Sequence, residues 1–317
     1  RQSRDNTIAN SLRTAFFNHF GFNPSPNEVM SWRNSLLRMS LILEDGNMTD
    51  HGVFIEYQLP MSSQRLDCMV CGNNAEGMPE AVIIELKQWE TCRLSDYDSE
   101  RVITWVGGGN KEVLHPSIQA GNYHHYLKHY KTVFYEGSNP VNLSACSYLH
   151  NYSLSSDDVL IDNRFTGILN QYPIFTLGKD SAFKDYLSKH LAGGNGAGIL
   201  SRIEKSDHRP SQKLMQQLSE TIRLKLSGDT SLIGGSKDFI LLDDQLIAYD
   251  SIMSIVTKGL HKKKKYSIIV KGGPGTGKSV IALLLMADLS LNGFVTQYAT
   301  GSKSFTQTLR KIAGPDF

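Results

Sequence analysis

The sequence predicts an α/β chain in two parts, a mixed sheet flanked by helices and then the start of a phosphate-binding αβα unit. Three observations carry this. Period-2 apolar runs alternate with helical runs between residues 50 and 190. The run "AVIIELKQWE" (81–90) sets a Glu and a Lys into an otherwise apolar strand. The run "GGPGTGKS" (272–279) stands between a β-branched segment and an apolar helical one. The length, 317 residues, suits two domains at about 150 residues each. Composition is ordinary for a globular protein, 40% hydrophobic and 20% charged. A net charge of +2 from 33 basic and 31 acidic residues neither demands nor excludes nucleic acid, because binding needs a local patch. Four cysteines are too few for a disulfide scaffold of this size and point to a reducing compartment, so the expected location is cytoplasmic. No apolar run approaches the ~18 residues of a membrane span, so no membrane partner is expected. No signal peptide is visible. The chain opens on Arg1, which leaves targeting unread.

Residues 5–20 and 27–43 carry helical patterns, with "NPSPNE" between them as stop and cap signals. "GVFIEYQ" (52–58) and "RLDCMVC" (65–71) read as strands joined by the turn "LPMSSQ", and 81–90 is the third strand. Residues 93–114 read as a hairpin or exposed excursion. A helix follows over 115–134, opened by Pro116, then strands at 143–150 and 172–178 and a helix at 181–191. "AGGNGAG" (192–198) reads as a loop, 210–226 as an amphipathic helix and "SGDTSLIGGSKD" (227–238) as a linker. The domain boundary is placed near residue 235, giving domains at 1–235 and 236–317. The second holds a helix at 243–259, a strand at 266–270, a Gly-rich loop, a helix at 278–291 and a strand at 294–300.

The charges in the third strand pose the functional question. Strand side chains alternate, so Glu85 and Lys87 share a face opposite Ile84 and Leu86. Buried charges are costly unless they are paired or bind something. On the second strand Asp67 lies on a face with Arg65 and Met69, and a hairpin pairing brings it beside Glu85. Two carboxylates and a Lys form a site for a hard divalent cation, a water and a phosphodiester. On the following helix Gln119 and Tyr123 are one turn apart on one face.

In these residues the sequence resembles the PD-(D/E)XK nuclease superfamily. Asp67 stands at its Asp, Glu85-Leu86-Lys87 fits E-x-K, and Gln119 with Tyr123 matches the Q-x-x-x-Y motif of RecB-like members. The resemblance implies a restriction-endonuclease-like core and Mg²⁺ (or Mn²⁺) held by Asp67 and Glu85. Leu66 stands where the family's Pro often precedes the Asp. Glu56 on the preceding strand is a third acidic candidate, with Glu28 and Glu44 competing for that role. An E-x-K tripeptide by itself reads as an ordinary salt bridge; the ordered set is what carries the resemblance.

Weaker signals read as structure. Cys68 and Cys71 would be half a zinc site, but strand positions three apart face opposite ways, and Cys92 and Cys146 are scattered. All four read as thiols. His125 and His129 are one helical turn apart without a third ligand in view, and "KKKK" (262–265) reads as a solvated turn.

The second constellation is Gly272-Gly273-Pro274-Gly275-Thr276-Gly277-Lys278-Ser279, a P-loop in its required context of strand before and helix after. Glycines turn backbone N–H groups inward around phosphates and the helix N-terminus adds partial positive charge. Lys278 is expected at the β- and γ-phosphates of ATP and Ser279 at Mg²⁺. "FILLDDQLIAYDSI" (239–252) resembles the Q-motif of superfamily 1 helicases, which assigns Gln245 to adenine. With "YATGSKSF" (298–305), "IEYQLPMSSQRLD" (55–67) and "YPIFTLG…FKDYL" (172–187), the chain resembles bacterial Schlafen-type DNA/RNA helicases fused to an N-terminal PD-(D/E)XK domain. The resemblance implies a RecA-like lobe. The family's Walker B acid, arginine finger and second lobe are not found before Phe317, so the expectation is a motor that is incomplete in this chain and does not turn over ATP.

The expected function is metal-dependent cleavage of nucleic acid, with DNA as the expected substrate, coupled in a longer protein to an ATP-driven helicase. The family context implies defence against foreign DNA. The rival is a cleavage-inactive nuclease fold that grips nucleic acid for the ATPase. A third class, an RNA-cleaving toxin, would use the same metal chemistry.

Overall fold

Ser25 begins the ordered architecture of the first helical pair. Its hydroxyl accepts from the Glu28 amide at 3.1 Å and Pro26 follows at the first helical position, the residue types that satisfy and pre-shape a helix start. Helices α1 (Thr7–Phe20) and α2 (Pro26–Asp45) then pack through Ala9, Trp32 and Leu36. The computed structural model describes residues 7–59, 64–95, 99–209, 243–262, 264–273, 276–301 and 307. They group into two compact units. One comprises Arg1–Tyr57, Leu66–His124 and Glu136–Ser206; the other comprises Gln58–Arg65, His125–Tyr135 and Asp207–Phe317. The expected boundary near 235, the helix 210–226 and the linker 227–238 lie outside the described residues.

The first unit is built on strands β1 (Gly52–Gln58), β2 (Arg65–Asn73) and β3 (Pro79–Lys87). A small second sheet follows, of β4 (Cys92–Leu94), β5 (Arg101–Val106) and β6 (Gly109–Leu114), and then helix α3 (Pro116–Tyr130). Strand β7 (Asn142–Leu149), a short α4 (Thr166–Gln171), β8 (Ile174–Thr176), α5 (Asp180–His190) and α6 (Gly196–Lys205) complete it. The main sheet has the order β1-β2-β3-β7-β8. β2 runs antiparallel to β3, while β3–β7 and β7–β8 are parallel. The sheet is therefore mixed, and β3 is central.

Its centrality explains its composition. Ala81, Val82, Ile83 and Ile84 are wholly buried, as expected for a strand covered on both faces, and each fully buried aliphatic contributes roughly 1.5–3 kcal/mol relative to exposure. One face carries Cys68, Val70, Val82, Ile84, Cys146 and Tyr148 against Met39 and Ile42 of α2 and Phe183 and Leu187 of α5. At the N-terminal end of β3, buried Glu80 accepts from Ser144 Oγ at 3.0 Å and lies 2.5 Å from His190 Nδ1.

Two expectations need correction. The glycine-rich run 192–198 is not wholly a loop, because α6 starts within it at Gly196. Close approach is the reason: a Cβ on Gly196 would sit 1.7 Å from the Gly52 amide nitrogen. These glycines let a helix lie directly on the β1 backbone. In the second unit, helices α7 (Asp243–Lys262) and α8 (Lys278–Leu291) pack through Leu246, Tyr249, Ile281 and Leu285. The expected strands at 266–270 and 294–300 make no ladder among the described residues. Ile269 is 79% exposed. A β-branched run becomes a strand only where a neighbour accepts its hydrogen bonds, and no described segment does so here. The described residues after 242 thus show two packed helices, the second opening directly after Gly277.

Candidate active site

Asp67, Glu85, Lys87, Gln119 and Tyr123 converge. The ladder pairs Cys68 with Ile84, and one further step sets Asp67 across from Glu85, where facing Cβ atoms lie about 4.5–5.5 Å apart. The Leu86 amide donates to Asp67 Oδ2 at 2.8 Å, which fixes that carboxylate at the end of the strand. Lys87 Nζ donates to Glu85 Oε1 at 2.6 Å and to Gln119 Oε1 at 2.9 Å. Gln119 Nε2 in turn donates to Tyr123 Oη at 2.9 Å. The chain of contacts thus runs Glu85–Lys87–Gln119–Tyr123, from β3 to α3.

Burial strengthens it. The Glu85 side chain is 2% exposed and that of Lys87 is 18% exposed. A carboxylate taken this far out of water requires a close cation or donors, and Lys87 supplies one. Tyr123 is buried. The site thus lies at the C-terminal end of a central strand, with its ammonium at the boundary between core and solvent.

Two neighbours were missed by the sequence reading. The Trp89 ring lies beneath Lys87 Nζ, 5.6 Å from its centroid, a cation–π distance. Its signal was present, since Glu85, Lys87 and Trp89 keep the two-residue spacing past the end of β3. Ser147 on β7 is in register with Glu85 and is fully buried, and its hydroxyl makes no hydrogen bond. Nothing in the sequence marks it, because its register partner Glu85 is 62 residues away in the chain.

The other acidic candidates lie on β1 and α2. Glu56 has φ +52° and accepts from Trp32 Nε1 at 2.8 Å. Glu28 lies in the first turn of α2, and Glu44 near its end. Among the described residues, no group of three or more His, Cys, Asp or Glu is arranged to hold a metal ion. Cys68, Cys71 and Cys146 are buried free thiols, and burial pushes Cys71 up to about 12, so they remain protonated core residues. His125 and His129 stack at 6.1 Å.

The Gly-rich loop forms a second site. Gly277 has φ +82° and caps α8, a left-handed conformation that disfavours any side chain. Lys278 Nζ folds back on its own loop, donating to the carbonyls of Gly272 at 2.8 Å and Gly273 at 2.5 Å and to Thr276 Oγ1 at 3.2 Å. From α7, Gln245 Nε2 donates to the Thr276 carbonyl at 3.2 Å. Gln245, Gly272, Gly273, Thr276 and Lys278 are therefore together, while Ser279 is exposed at the helix start. Pro274, Gly275 and residues 302–306 lie outside the described residues.

A family model described as Schlafen group 3, DNA/RNA helicase domain matches residues 265–316. No curated protein and no solved structure matches the chain. The C-terminal segment is thus similar to a helicase domain, and its character is nucleic-acid-related, with the nucleotide use and nucleic-acid binding that such a domain implies. No described helix is long and apolar enough to cross a membrane.

Proposed function

We propose that the first unit is a metal-dependent nuclease of the PD-(D/E)XK type and that residues 236–317 belong to a RecA-like helicase ATPase. The observation that carries the reading is the hydrogen-bonded set Glu85–Lys87–Gln119–Tyr123, with Asp67 across the ladder from Glu85. Asp67 and Glu85 are hard oxygen donors, suited to an ion that takes one or two carboxylates and completes its shell with water or phosphate oxygens. Glu56 is the proposed third acid. Mg²⁺ or Mn²⁺ bound there would supply a water of lowered pKa and offset phosphate charge.

The chain's own residues do the rest. Lys87, held by Glu85 and Gln119, presents its ammonium at the edge of the site, where it orients the attacking water and donates to the non-bridging phosphate oxygen. Gln119 fixes that ammonium and Tyr123 fixes Gln119. In the second unit, Lys278 would exchange its carbonyl partners for the β- and γ-phosphates of ATP, Ser279 would hold Mg²⁺ and Gln245 would meet adenine. The proposed substrate is DNA.

The test incubates the protein with linear, circular and single-stranded DNA and with RNA, in Mg²⁺, Mn²⁺ or chelator. Metal-dependent DNA cleavage that needs no ATP is expected. Binding without cleavage under every metal condition would favour the rival, a nuclease fold that only grips nucleic acid.

A further inference from the structure

Trp105 is 65% exposed, whereas Trp32 and Trp89 are 5% and 8% exposed. It lies on β5, the central strand of the three-stranded sheet, one residue past the β4 ladder and paired with Asn110 of β6. The ring is therefore on a fixed support. The ladder sets Ile103 beside Arg93 and Glu112, and Trp105 beside Asn110. These five residues share the outward face. The inward face carries Cys92, Leu94, Val102, Val106 and Val113, packed around Trp89, Leu149 and Tyr152. The strands meet at Gly107 and Gly108, with φ +61° and +86°, so no side chain at the turn covers the indole.

An exposed apolar face ordinarily suggests a protein partner, but this one is the wrong composition. Among the described residues its one exposed apolar group is Trp105, beside a half-buried Ile103 and a buried Leu114, set among exposed Arg93, Asn110 and a Glu112 that accepts from Ser95. A single flat ring on the same face as the exposed Arg93 suits a different ligand. Unpaired bases offer a π-face to the ring and a phosphate to the cation. Bases within a duplex are already covered on both faces. The support is also shared with the candidate site: Trp89, under the inward face, carries the Lys87 ammonium at 5.6 Å.

We propose that the outward face of the β4–β5–β6 sheet is a stacking platform for single-stranded nucleic acid, with Trp105 beneath a base and Arg93 at a phosphate. This rests on the nucleic-acid reading above but not on cleavage. It therefore stands equally if the first unit only binds.

The experiment is fluorescence anisotropy of the full chain in chelator with a labelled single-stranded DNA, the matching RNA and the duplex, across a salt series. Trp105→Ala should weaken single-strand binding by about 5- to 150-fold, the range of stacking on one base, and duplex binding by less than about twofold. Trp105→Phe should retain most of the affinity but lose most of the quenching of intrinsic fluorescence that single strands cause in the wild type. Arg93→Ala should lower the salt slope by about 0.7, the value for one phosphate on a single strand. Circular dichroism checks that each variant is folded. Unchanged single-strand affinity in a folded Trp105→Ala protein overturns the platform while leaving the nucleic-acid reading intact. Equal losses for single strand and duplex also overturn it. A wild type that binds no nucleic acid removes both. Loss of self-association in Trp105→Ala, with nucleic-acid affinity unchanged, would reassign the face to a protein partner.

Discussion

Lys87 and Lys278 are both lysines proposed to meet phosphate, and they are held in opposite ways. Lys87 is tied to side chains from two elements, Glu85 and Gln119, and backed by the Trp89 ring. Lys278 is tied to main-chain carbonyls of its own loop, Gly272 and Gly273. The first ammonium is positioned by tertiary structure, the second by six consecutive peptide units and a helix start. The difference teaches how each site should fail. A distributed site is sensitive to any element that supplies a partner, whereas a local one is sensitive to its own residues and indifferent to distant packing.

The largest expected effect is at the distributed site. Lys87→Ala and Asp67→Asn should each reduce metal-dependent cleavage by ~100-fold or more, the scale for removing one preorganised donor to a reacting centre. The thermal midpoint should change little for Lys87→Ala, whose side chain is part-exposed, provided Glu85 takes up solvent or metal in its place. Cleavage at the wild-type rate by both purified variants would falsify the assignment of the set as catalytic. The same substitutions should leave nucleotide binding at residues 272–279 untouched, which is the sharpest form of the contrast.

Lys278→Ala tests the local site and comes next in size. A hydrogen bond to a charged group contributes roughly 1.5–3 kcal/mol, so nucleotide affinity should fall by about 10- to 150-fold. DNA cleavage should not change. The wild type should bind nucleotide, and any hydrolysis should fall in the variant along with the affinity. Isothermal titration and a phosphate-release assay measure the two quantities. Cleavage that falls with Lys278 would break the contrast between the sites.

The two sites also differ in how far the sequence revealed them. The proposed P-loop is contiguous, so its proposed chemistry rests on eight consecutive residues. Its sheet is not legible, because "YSIIV" has strand propensity whether or not a neighbour exists, and a neighbour is a tertiary fact. The nuclease-like set is legible through two periods, alternation at Asp67, Glu85 and Lys87 and the one-turn spacing of Gln119 and Tyr123. These hold because a strand and a helix each impose a fixed side-chain direction. The start of α6 at Gly196 was hidden, since glycine needed for a close approach to Gly52 reads like glycine in a loop. Ser147 was hidden because register between β3 and β7 is set by the intervening second sheet and α3, not by either strand's composition. The β4–β6 hairpin was legible as an excursion, but nothing in its residues indicated that its inward face rests on Trp89.

Trp89 carries the smallest expected effect and separates the two modes of holding a lysine most finely. Its ring touches no proposed substrate group; it acts through Lys87, as a positioning residue. A cation–π contact contributes about 0.5–2 kcal/mol, so an apolar variant without an aromatic ring should cost about 2- to 30-fold in cleavage. Trp89→Leu is that variant, and Trp89→Phe, with a weaker π-face, should fall between it and the wild type. Because Trp89 is buried among Val102, Leu149 and Tyr152, Trp89→Leu will also lower stability, and a loss of activity by itself would be ambiguous. Two further readouts remove the ambiguity. The ordering wild type, Phe, Leu should appear in the cleavage rate at saturating DNA and not in the affinity for DNA measured in chelator. Placed on a Lys87→Ala background, Trp89→Leu should have no additional effect on cleavage, because the ammonium it supports is gone. Additive losses in that double variant would show that Trp89 serves the fold alone, and Lys87 would then be held by Glu85 and Gln119 without help from the ring beneath it.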